Sequence, residues 1–222
     1  MIWVEPGTFM MGSPQDELGK QGNETYQQVT ITQGYWMGKY EVTQAQYEAV
    51  MGTNPAGFRG DNNPVEFVSW DDAMEFCAKL TEREQAAGSL PEGYEYTLPT
   101  EAQWEYACRA GTTTALNSGK NLSGYNECPE VDEVAWYTYN SNSTTHPVGQ
   151  KQANAWGLYD MHGNVLEWCL DWYPGYENSM RVLRGGSYSS LAFMCRSAYQ
   201  GGSYPGSRWN YIGFRLALIP IQ

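Results

Sequence analysis

The sequence has no long apolar run, no cluster of lysines and arginines, no Cys-x-x-Cys pair and only two histidines. The lack of an apolar run of membrane-spanning length argues against a transmembrane helix. Thirteen Lys and Arg stand against 25 Asp and Glu, so the net charge is −12. Without a basic patch, such a surface repels the phosphates of nucleic acids. We therefore expect neither a membrane span nor a nucleic-acid partner.

Several kinds of reactive site are also missing. His146 and His162 have no Cys or His at the spacing of zinc ligands, so both are predicted to be structural. Ser187 follows two glycines, but there is no Gly-x-Ser-x-Gly elbow and no histidine is placed to act as its base. The chain has five cysteines, Cys77, Cys108, Cys128, Cys169 and Cys195, an odd number at irregular spacing. Three of the five fit apolar patterns as small core residues. Their disulfide status stays open.

Helix-start signals stand out in the middle of the chain. Thr43, Ser69 and Thr100 each begin a capping-box sequence, which predicts helices from 44 to about 51, from 70 to about 88 and from 101 to about 110. A polar, aperiodic stretch over 112–133 indicates a long loop. Short alternating or aromatic segments predict strands within 2–12, 29–37, 134–137, 156–161, 165–172, 182–188 and 214–218. Helices grouped before strands indicate an α+β fold, and we expect a single domain over 1–222.

The segment 189–211 has an unusual composition. It is rich in Tyr, Phe and Trp together with Ser, Gly and Asn, and its only charges are Arg196 and Arg208. Large rigid rings mixed with small adaptable polar residues are typical of antibody binding loops. The pattern predicts an exposed binding surface; the alternative is a surface loop that happens to be aromatic.

Several phrases in the chain resemble the formylglycine-generating-enzyme, or sulfatase-modifying factor, family. They occur in the family's order over nearly the whole chain: Tyr40-Glu41-Val42-Thr43, Leu98-Pro99-Thr100-Glu101-Ala102, Gly157-Leu158-Tyr159-Asp160-Met161, Arg184-Gly185-Gly186-Ser187 and Gly213-Phe214-Arg215. The resemblance implies an α+β, C-type lectin-like fold of the formylglycine-generating-enzyme type, with little regular secondary structure.

The same resemblance raises a catalytic alternative. The family includes an oxidase that holds copper with two cysteines shortly after the Gly-Gly-Ser motif. Here Ser190 stands where the first cysteine falls, and only Cys195 is available. Paired thiolates are the soft ligands that select Cu(I), so one thiol is not enough. We therefore expect a non-catalytic protein, with a copper-dependent formylglycine-generating oxidase or a related sulfatase-modifying enzyme as the alternative.

A second branch of the fold resembles this chain more closely. It comprises variable proteins diversified by retroelements, in which adenines of C-terminal Asn codons are rewritten on a fixed scaffold. The chain keeps this branch's Cys195-Arg196-Ser197-Ala198, Pro205, Arg208 and Ile212-Gly213-Phe214-Arg215. Most residue types between these anchors can arise from Asn codons by adenine changes, whereas Met194, Gln200 and Trp209 cannot.

This resemblance implies a non-catalytic variable receptor with a candidate variable region at 188–211 and an unidentified protein or glycan ligand. We expect it at a cell surface or on a phage particle, its leader having been removed, with a cytoplasmic protein as the alternative. An accessory domain without a ligand is favoured if the aromatic side chains are buried. The predicted ligand-binding residues are Tyr188, Ser189, Ser190, Leu191, Phe193, Met194, Tyr199, Ser203, Tyr204, Ser207, Trp209, Asn210 and Tyr211.

No cofactor is certain, but the family resemblance implies one candidate metal site. Asp160 and Glu167 supply carboxylates, and Gly163 and Val165 supply backbone carbonyls between them. Oxygen-only ligand sets suit Ca²⁺, and the matching positions in the enzymes hold a structural calcium. The alternative is a hydrogen-bonded turn without an ion.

Overall fold

The computed structural model describes residues 1–221. Its helices are α1 (Gln44–Met51), α2 (Trp70–Ala86), α3 (Glu101–Arg109) and the single turn α4 (Pro129–Asp132), and Ala192–Cys195 forms a 3₁₀ turn. The strands are β1 (Ile2–Val4), β2 (Gly7–Met11), β3 (Gln27–Ile31), β4 (Tyr35–Met37), β5 (Tyr94–Thr97), β6 (Ala135–Trp136), β7 (His162–Gly163), β8 (Leu166–Trp172), β9 (Arg181–Arg184), β10 (Gly201–Ser203), β11 (Ile212–Gly213) and β12 (Ala217–Pro220). The predicted α+β class, with short elements and long connections, is confirmed.

The three helix-start predictions are confirmed as complete capping boxes. The hydroxyls of Thr43, Ser69 and Thr100 each accept from the backbone N–H of the residue three positions later. The side chain of that later residue accepts from the backbone N–H of the Thr or Ser. These reciprocal bonds satisfy N–H groups that a helix start otherwise leaves unpaired. The α3 helix ends at Arg109, one residue before the predicted end, because Ala110 already adopts the left-handed conformation, with φ of 45°.

Two four-stranded sheets organise the chain. In the first, ordered β1-β4-β12-β5, all neighbours are antiparallel, and strands from both ends of the chain flank β4. In the second, ordered β10-β9-β8-β11, β11 runs parallel to β8 and the other pairs are antiparallel. Since β10 and β11 are the two edges of this sheet, the connection 204–211 runs from one edge to the other.

Other boundaries differ from the sequence predictions. The stretch 2–12 forms two strands instead of one, and so does 29–37. The predicted strand at 156–161 is a series of turns, because Gly157 and Asp160 have φ values of 84° and 55°, which extended backbone does not allow. The predicted loop 112–133 contains the short α4 helix near its end.

The apolar core lies between the helices and the two sheets. Tyr47 of α1 stacks on Phe76 of α2 at 5.5 Å between ring centroids, and Phe76 meets Phe214 edge-on at 5.4 Å. Trp104 and Trp168 are completely buried. The β11–β12 connection is therefore fixed by packing against both helices. Among residues 1–221, no helix combines the length and apolar character needed to cross a membrane.

Candidate ligand-binding surface

The C-terminal loop, which we define as residues 204–211, is fastened to the N-terminus of α2. The backbone N–H of Trp70 donates to the carbonyl of Pro205 at 2.9 Å. Arg208 donates from Nε and Nη2 to the two carboxylate oxygens of Asp72 at 2.7 and 2.8 Å. Partial burial would raise the pKa of Asp72, but hydrogen bonds from Arg208 and Ser69 hold it below its ordinary value. The loop backbone is thus held in place without its aromatic side chains.

Two of the three aromatic side chains of this loop are exposed, whereas Tyr211 packs partly against the core. Tyr204 and Trp209 are 62% and 49% exposed, and the Trp209 ring stacks on Tyr211 with 5.9 Å between centroids and 9° between planes. Ser207 and Asn210 are partly exposed between them. Large exposed rings grouped on one loop are a typical feature of binding surfaces. The structure therefore brings five of the predicted ligand-binding residues together.

A second group of predicted residues lies in a different environment. Phe193 stacks on Tyr125 with 4.3 Å between centroids, and it meets Tyr199 edge-on at 6.0 Å. Leu191 and Met194 flank Phe193 and are half-buried, as is Ser203 on β10. The ring of Phe193 lies between two aromatic neighbours. It therefore offers a ligand less free area than the rings of Tyr204 and Trp209.

The structure corrects the prediction at two positions, whereas their neighbour Ser189 is exposed as predicted. Tyr188 is only 6% exposed and packs edge-on against Phe58 at 5.2 Å. Ser190 is buried too, and its hydroxyl accepts from the backbone N–H of Ser187 at 2.9 Å. In this conformation Tyr188 and Ser190 support the surface and do not form it.

Buried arginines hold the chain on either side of the exposed segments. Arg196 donates to Glu17 Oε1 and to Glu24 Oε1, both at 2.6 Å, and its side chain is inaccessible to solvent. Arg215 donates to both oxygens of Glu167 at 2.6 Å. Removing one partner from such a buried pair leaves an uncompensated charge, so each pair fixes the local backbone strongly. Arg196 was predicted from the sequence to be an anchor, but its carboxylate partners, far away in the chain, were not predicted.

The predicted calcium ligands do not fit a metal ion in this arrangement. Glu167 has both oxygens bound by Arg215, and one of them also accepts from Trp104 Nε1 at 2.6 Å. Asp160 Oδ2 accepts from the backbone N–H of Gly149 at 2.7 Å. The guanidinium of Arg215 thus takes the place that a metal ion would need at Glu167. Within residues 1–221, no group of three or more His, Cys, Asp or Glu side chains has metal-binding geometry. Gly163 and Val165, the predicted carbonyl ligands, are buried.

The cysteine predicted to remain from the oxidase pair is inaccessible. Cys195 is fully buried, and burial raises the pKa of its thiol to about 12, so the reactive thiolate is disfavoured. All five cysteines are free and buried. The Cys108 thiol lies 3.8 Å from His162 Nε2, but that nitrogen already accepts from the backbone N–H of Asn117 at 3.1 Å. His162 is therefore structural, as predicted, and not a base for Cys108.

Comparison with known proteins identifies the family of the chain. Residues 1–219 match the model of the sulfatase-modifying factor enzyme 1-like domain. The chain is 32% identical to the chaperone protein LppX of Paenibacillus barcinonensis, across 90% of this chain and 82% of that protein. It is also 32% identical to the formylglycine-generating enzyme of Streptomyces coelicolor, across 73% of this chain and 56% of that enzyme.

Solved structures extend the comparison to the fold. Variable protein 1 of Treponema denticola matches with a TM-score of 0.83 and 32% identity, covering 99% of this chain and 95% of that one. PvdO from Pseudomonas aeruginosa matches with a TM-score of 0.82 and 26% identity, covering 97% and 92%. The predicted C-type lectin-like fold of the formylglycine-generating-enzyme type is confirmed. The chain belongs to the sulfatase-modifying factor enzyme 1-like family, whose motifs its sequence carries.

Proposed function

We propose that the protein is a non-catalytic ligand-binding receptor and that its partner contacts the C-terminal loop. The observation that carries this proposal is the exposure of Tyr204 and Trp209 on a loop whose backbone is held by Arg208 and Pro205. Tyr and Trp lose little conformational entropy on binding and supply a large contact area. A fixed backbone adds to this because the partner does not have to order the loop.

The likeness to the Treponema denticola variable protein supports a diversified surface. Exposed positions of the loop can change without loss of stability, since surface substitutions usually alter it by less than about 0.5 kcal/mol. The buried ion pairs of Arg196 and Arg215 hold the surrounding backbone, which we call the frame, in one conformation while the exposed positions vary. We infer that a retroelement diversified this segment. DNA beside the gene is then expected to contain a reverse transcriptase and an Asn-rich near-copy of the 3′ end; their absence would remove the retroelement from the account.

The chemistry around Cys195 supports a non-catalytic role. A copper oxidase of this family needs two thiolates, whereas Ser190 replaces the first and burial keeps the second protonated. The similarity to a formylglycine-generating enzyme nevertheless makes oxidation the alternative to test. With copper and a cysteine-containing sulfatase peptide we expect no turnover. Formylglycine formation above the metal-free background would contradict the proposal.

The chaperone relative favours protein over glycan as the ligand. LppX is a chaperone by name, and the alignment covers most of both chains. A second candidate function is therefore the binding of a dedicated client protein at the same loop. Both candidates need the exposed rings of Tyr204 and Trp209, so one set of variants serves for both.

Binding is tested with a panel of purified surface proteins, proteins encoded near the gene and glycans. Trp209→Ala is expected to weaken binding to the recovered partner by about 1–3 kcal/mol. Tyr176→Ala is the matched control, because Tyr176 is 56% exposed but lies on the β8–β9 connection. Equal binding by the Trp209→Ala variant and the wild type would contradict a role for the loop.

A further inference from the structure

Phe67, outside the C-terminal segment, has a backbone conformation that its residue type disfavours. Its φ is 61°, in the left-handed region, and its ring is 38% exposed. A bulky non-glycine residue in this region costs about 1–3 kcal/mol. Such strain occurs most often at functional sites. Because more than a third of the side chain lies in solvent, core packing does not explain why phenylalanine occupies this position.

Phe67 is joined directly to the C-terminal loop. Its backbone N–H donates to the carbonyl of Trp209 at 3.1 Å. This bond places the backbone of Phe67 beside that of Trp209, whose ring is 49% exposed and stacks on the half-buried Tyr211. The aromatic area presented to a partner is thus contributed by two segments far apart in sequence.

The neighbouring Glu66 carries a carboxylate whose second oxygen is unpartnered. Glu66 is completely buried, and Oε1 accepts from the backbone N–H of Phe58 at 2.7 Å. Oε2 has no hydrogen-bond partner among residues 1–221. Leaving a buried acceptor unpaired costs about 1–3 kcal/mol, and more for a charged group. Burial raises the pKa of Glu66, although the hydrogen bond from the Phe58 backbone opposes this.

The carboxylate and the exposed ring border the same spot. A methyl group placed on Gly57 would lie 3.2 Å from Phe67 Cε2 and 3.6 Å from Glu66 Oε1. The edge of the Phe67 ring and Oε1 of the Glu66 carboxylate therefore both lie next to Gly57. The pKa of Tyr188 is raised first by burial and second by the negative charge of Glu66. The carboxylate is therefore close enough to Tyr188 to influence its hydroxyl electrostatically.

Arg59 and Arg208, the arginines closest in sequence to the two segments of this site, already have hydrogen-bond partners. Arg208 is paired with Asp72, and Arg59, whose charge lowers the pKa of Glu66, donates from Nη1 to the carbonyl of Asn54 at 2.8 Å. Within the described chain Glu66 takes part in no ion pair within 4.0 Å. Its neighbourhood combines aromatic faces with an uncompensated acceptor, in a protein of net charge −12.

We propose that Phe67 and Glu66 form a fixed part of the ligand surface, beside the C-terminal loop, and that this part receives a lysine or arginine side chain of a protein partner. This inference rests on the proposed function. Because Glu66 is buried, binding of the cation includes a turn of the partly exposed Phe67 ring away from the carboxylate. The cation then lies against the rings of Phe67 and Trp209 and donates to Glu66 Oε2. Aromatic faces attract cations, and charge-assisted hydrogen bonds to carboxylates are stronger than neutral ones. The negative net charge also draws basic partners toward the protein.

The probe for the test is a pair of short synthetic peptides with the same sequence except that one carries lysine and the other norleucine, its uncharged analogue. Binding is followed by NMR of the ¹⁵N-labelled full chain, with the Trp209 indole signal assigned from Trp209→Phe. We expect the lysine peptide to shift the Trp209 indole and the Phe67 amide saturably, and to bind roughly threefold to tenfold more tightly than the norleucine peptide. Equal affinities, or shifts that spare both residues, would overturn the proposal.

Two variants separate ligand binding from folding. Glu66→Gln keeps an oxygen for the Phe58 N–H but removes the charge, so it is expected to reduce the preference for lysine to the part that the two rings supply. Phe67→Gly relieves the left-handed backbone, so it is expected to raise the melting temperature while weakening binding of the lysine peptide. An unchanged lysine preference in Glu66→Gln would contradict the cation assignment. That outcome would leave the proposed function intact, because the latter depends on the effect of Trp209→Ala on the recovered partner.

Discussion

The two arginines of the C-terminal segment have opposite environments. Arg196 is fully buried between Glu17 and Glu24, whereas Arg208 is about half-exposed and holds Asp72 at the surface. The first fixes the frame, and the second holds down a loop that presents its rings to solvent. The comparison teaches that a short stretch of chain can contain both a rigid core anchor and a replaceable binding surface. If the buried anchor and the exposed loop are distinct in this way, changes in the anchor should destabilise the protein far more than changes in the loop.

Arg196→Ala should have the largest effect. The change leaves the carboxylates of Glu17 and Glu24 buried without their cation, so we expect a loss of about 3–5 kcal/mol in the free energy of unfolding. Urea denaturation followed by fluorescence measures it. If this variant is too unstable to purify, Glu17→Gln, which keeps a polar partner for Arg196, should give a smaller loss in the same direction. A loss below about 1 kcal/mol in Arg196→Ala would place this pair with surface ion pairs instead.

His162 should make the frame sensitive to acid. Burial lowers its pKa from 6.5 to about 4, so between these values the unfolded chain takes up a proton that the folded chain refuses. Stability contributed by neutral His162 is thus lost as the pH falls through this range. Asp160 opposes the trend, since burial raises its pKa to about 6. Unfolding free energies from pH 7 to pH 4 should fall less steeply for His162→Gln than for the wild type; parallel profiles would contradict the assignment.

Arg208→Ala should cost less than about 1 kcal/mol, because an exposed ion pair contributes little even with two-point geometry. The loop should nevertheless become more mobile, since one of its attachments to α2 is lost. Urea denaturation gives the first quantity, and amide hydrogen exchange across 204–211 gives the second. A loss comparable with that of Arg196→Ala would erase the distinction between frame and loop.

Tyr204→Ala should have the smallest effect on stability, within about 0.5 kcal/mol, because the ring is 62% exposed. Thermal unfolding of this variant, with Tyr139→Ala as an exposed control elsewhere, provides the measurement. A clear drop in melting temperature for Tyr204→Ala alone would show that the loop rings belong to the core.

Local patterns in the sequence were sufficient for the helices and for part of the surface. The capping boxes at Thr43, Ser69 and Thr100 depend on residues three apart, so the sequence contains all the partners. Exposure of Tyr204 and Trp209 was predicted from the composition of their segment, which mixes large rings with small polar residues. In both cases the signal lies within a short stretch of sequence.

Long-range contacts explain what the sequence did not predict. Tyr188 shares the composition of the binding segment, but it packs against Phe58, which lies far earlier in the chain, and no local pattern reveals that neighbour. Glu167 looks like a metal ligand until Arg215, almost fifty residues later, is found on both of its oxygens. Phe67 was missed because its left-handed backbone has no sequence signal when the residue is not Gly, Asn or Asp.

The most direct test of the account is oxidative footprinting of the full chain with and without the partner recovered from the binding panel. The account predicts protection of Tyr204, Trp209 and Phe67 by the partner, with Tyr139 and Tyr176 labelled equally in both states. Protection confined to rings outside Phe67 and the C-terminal loop would contradict it.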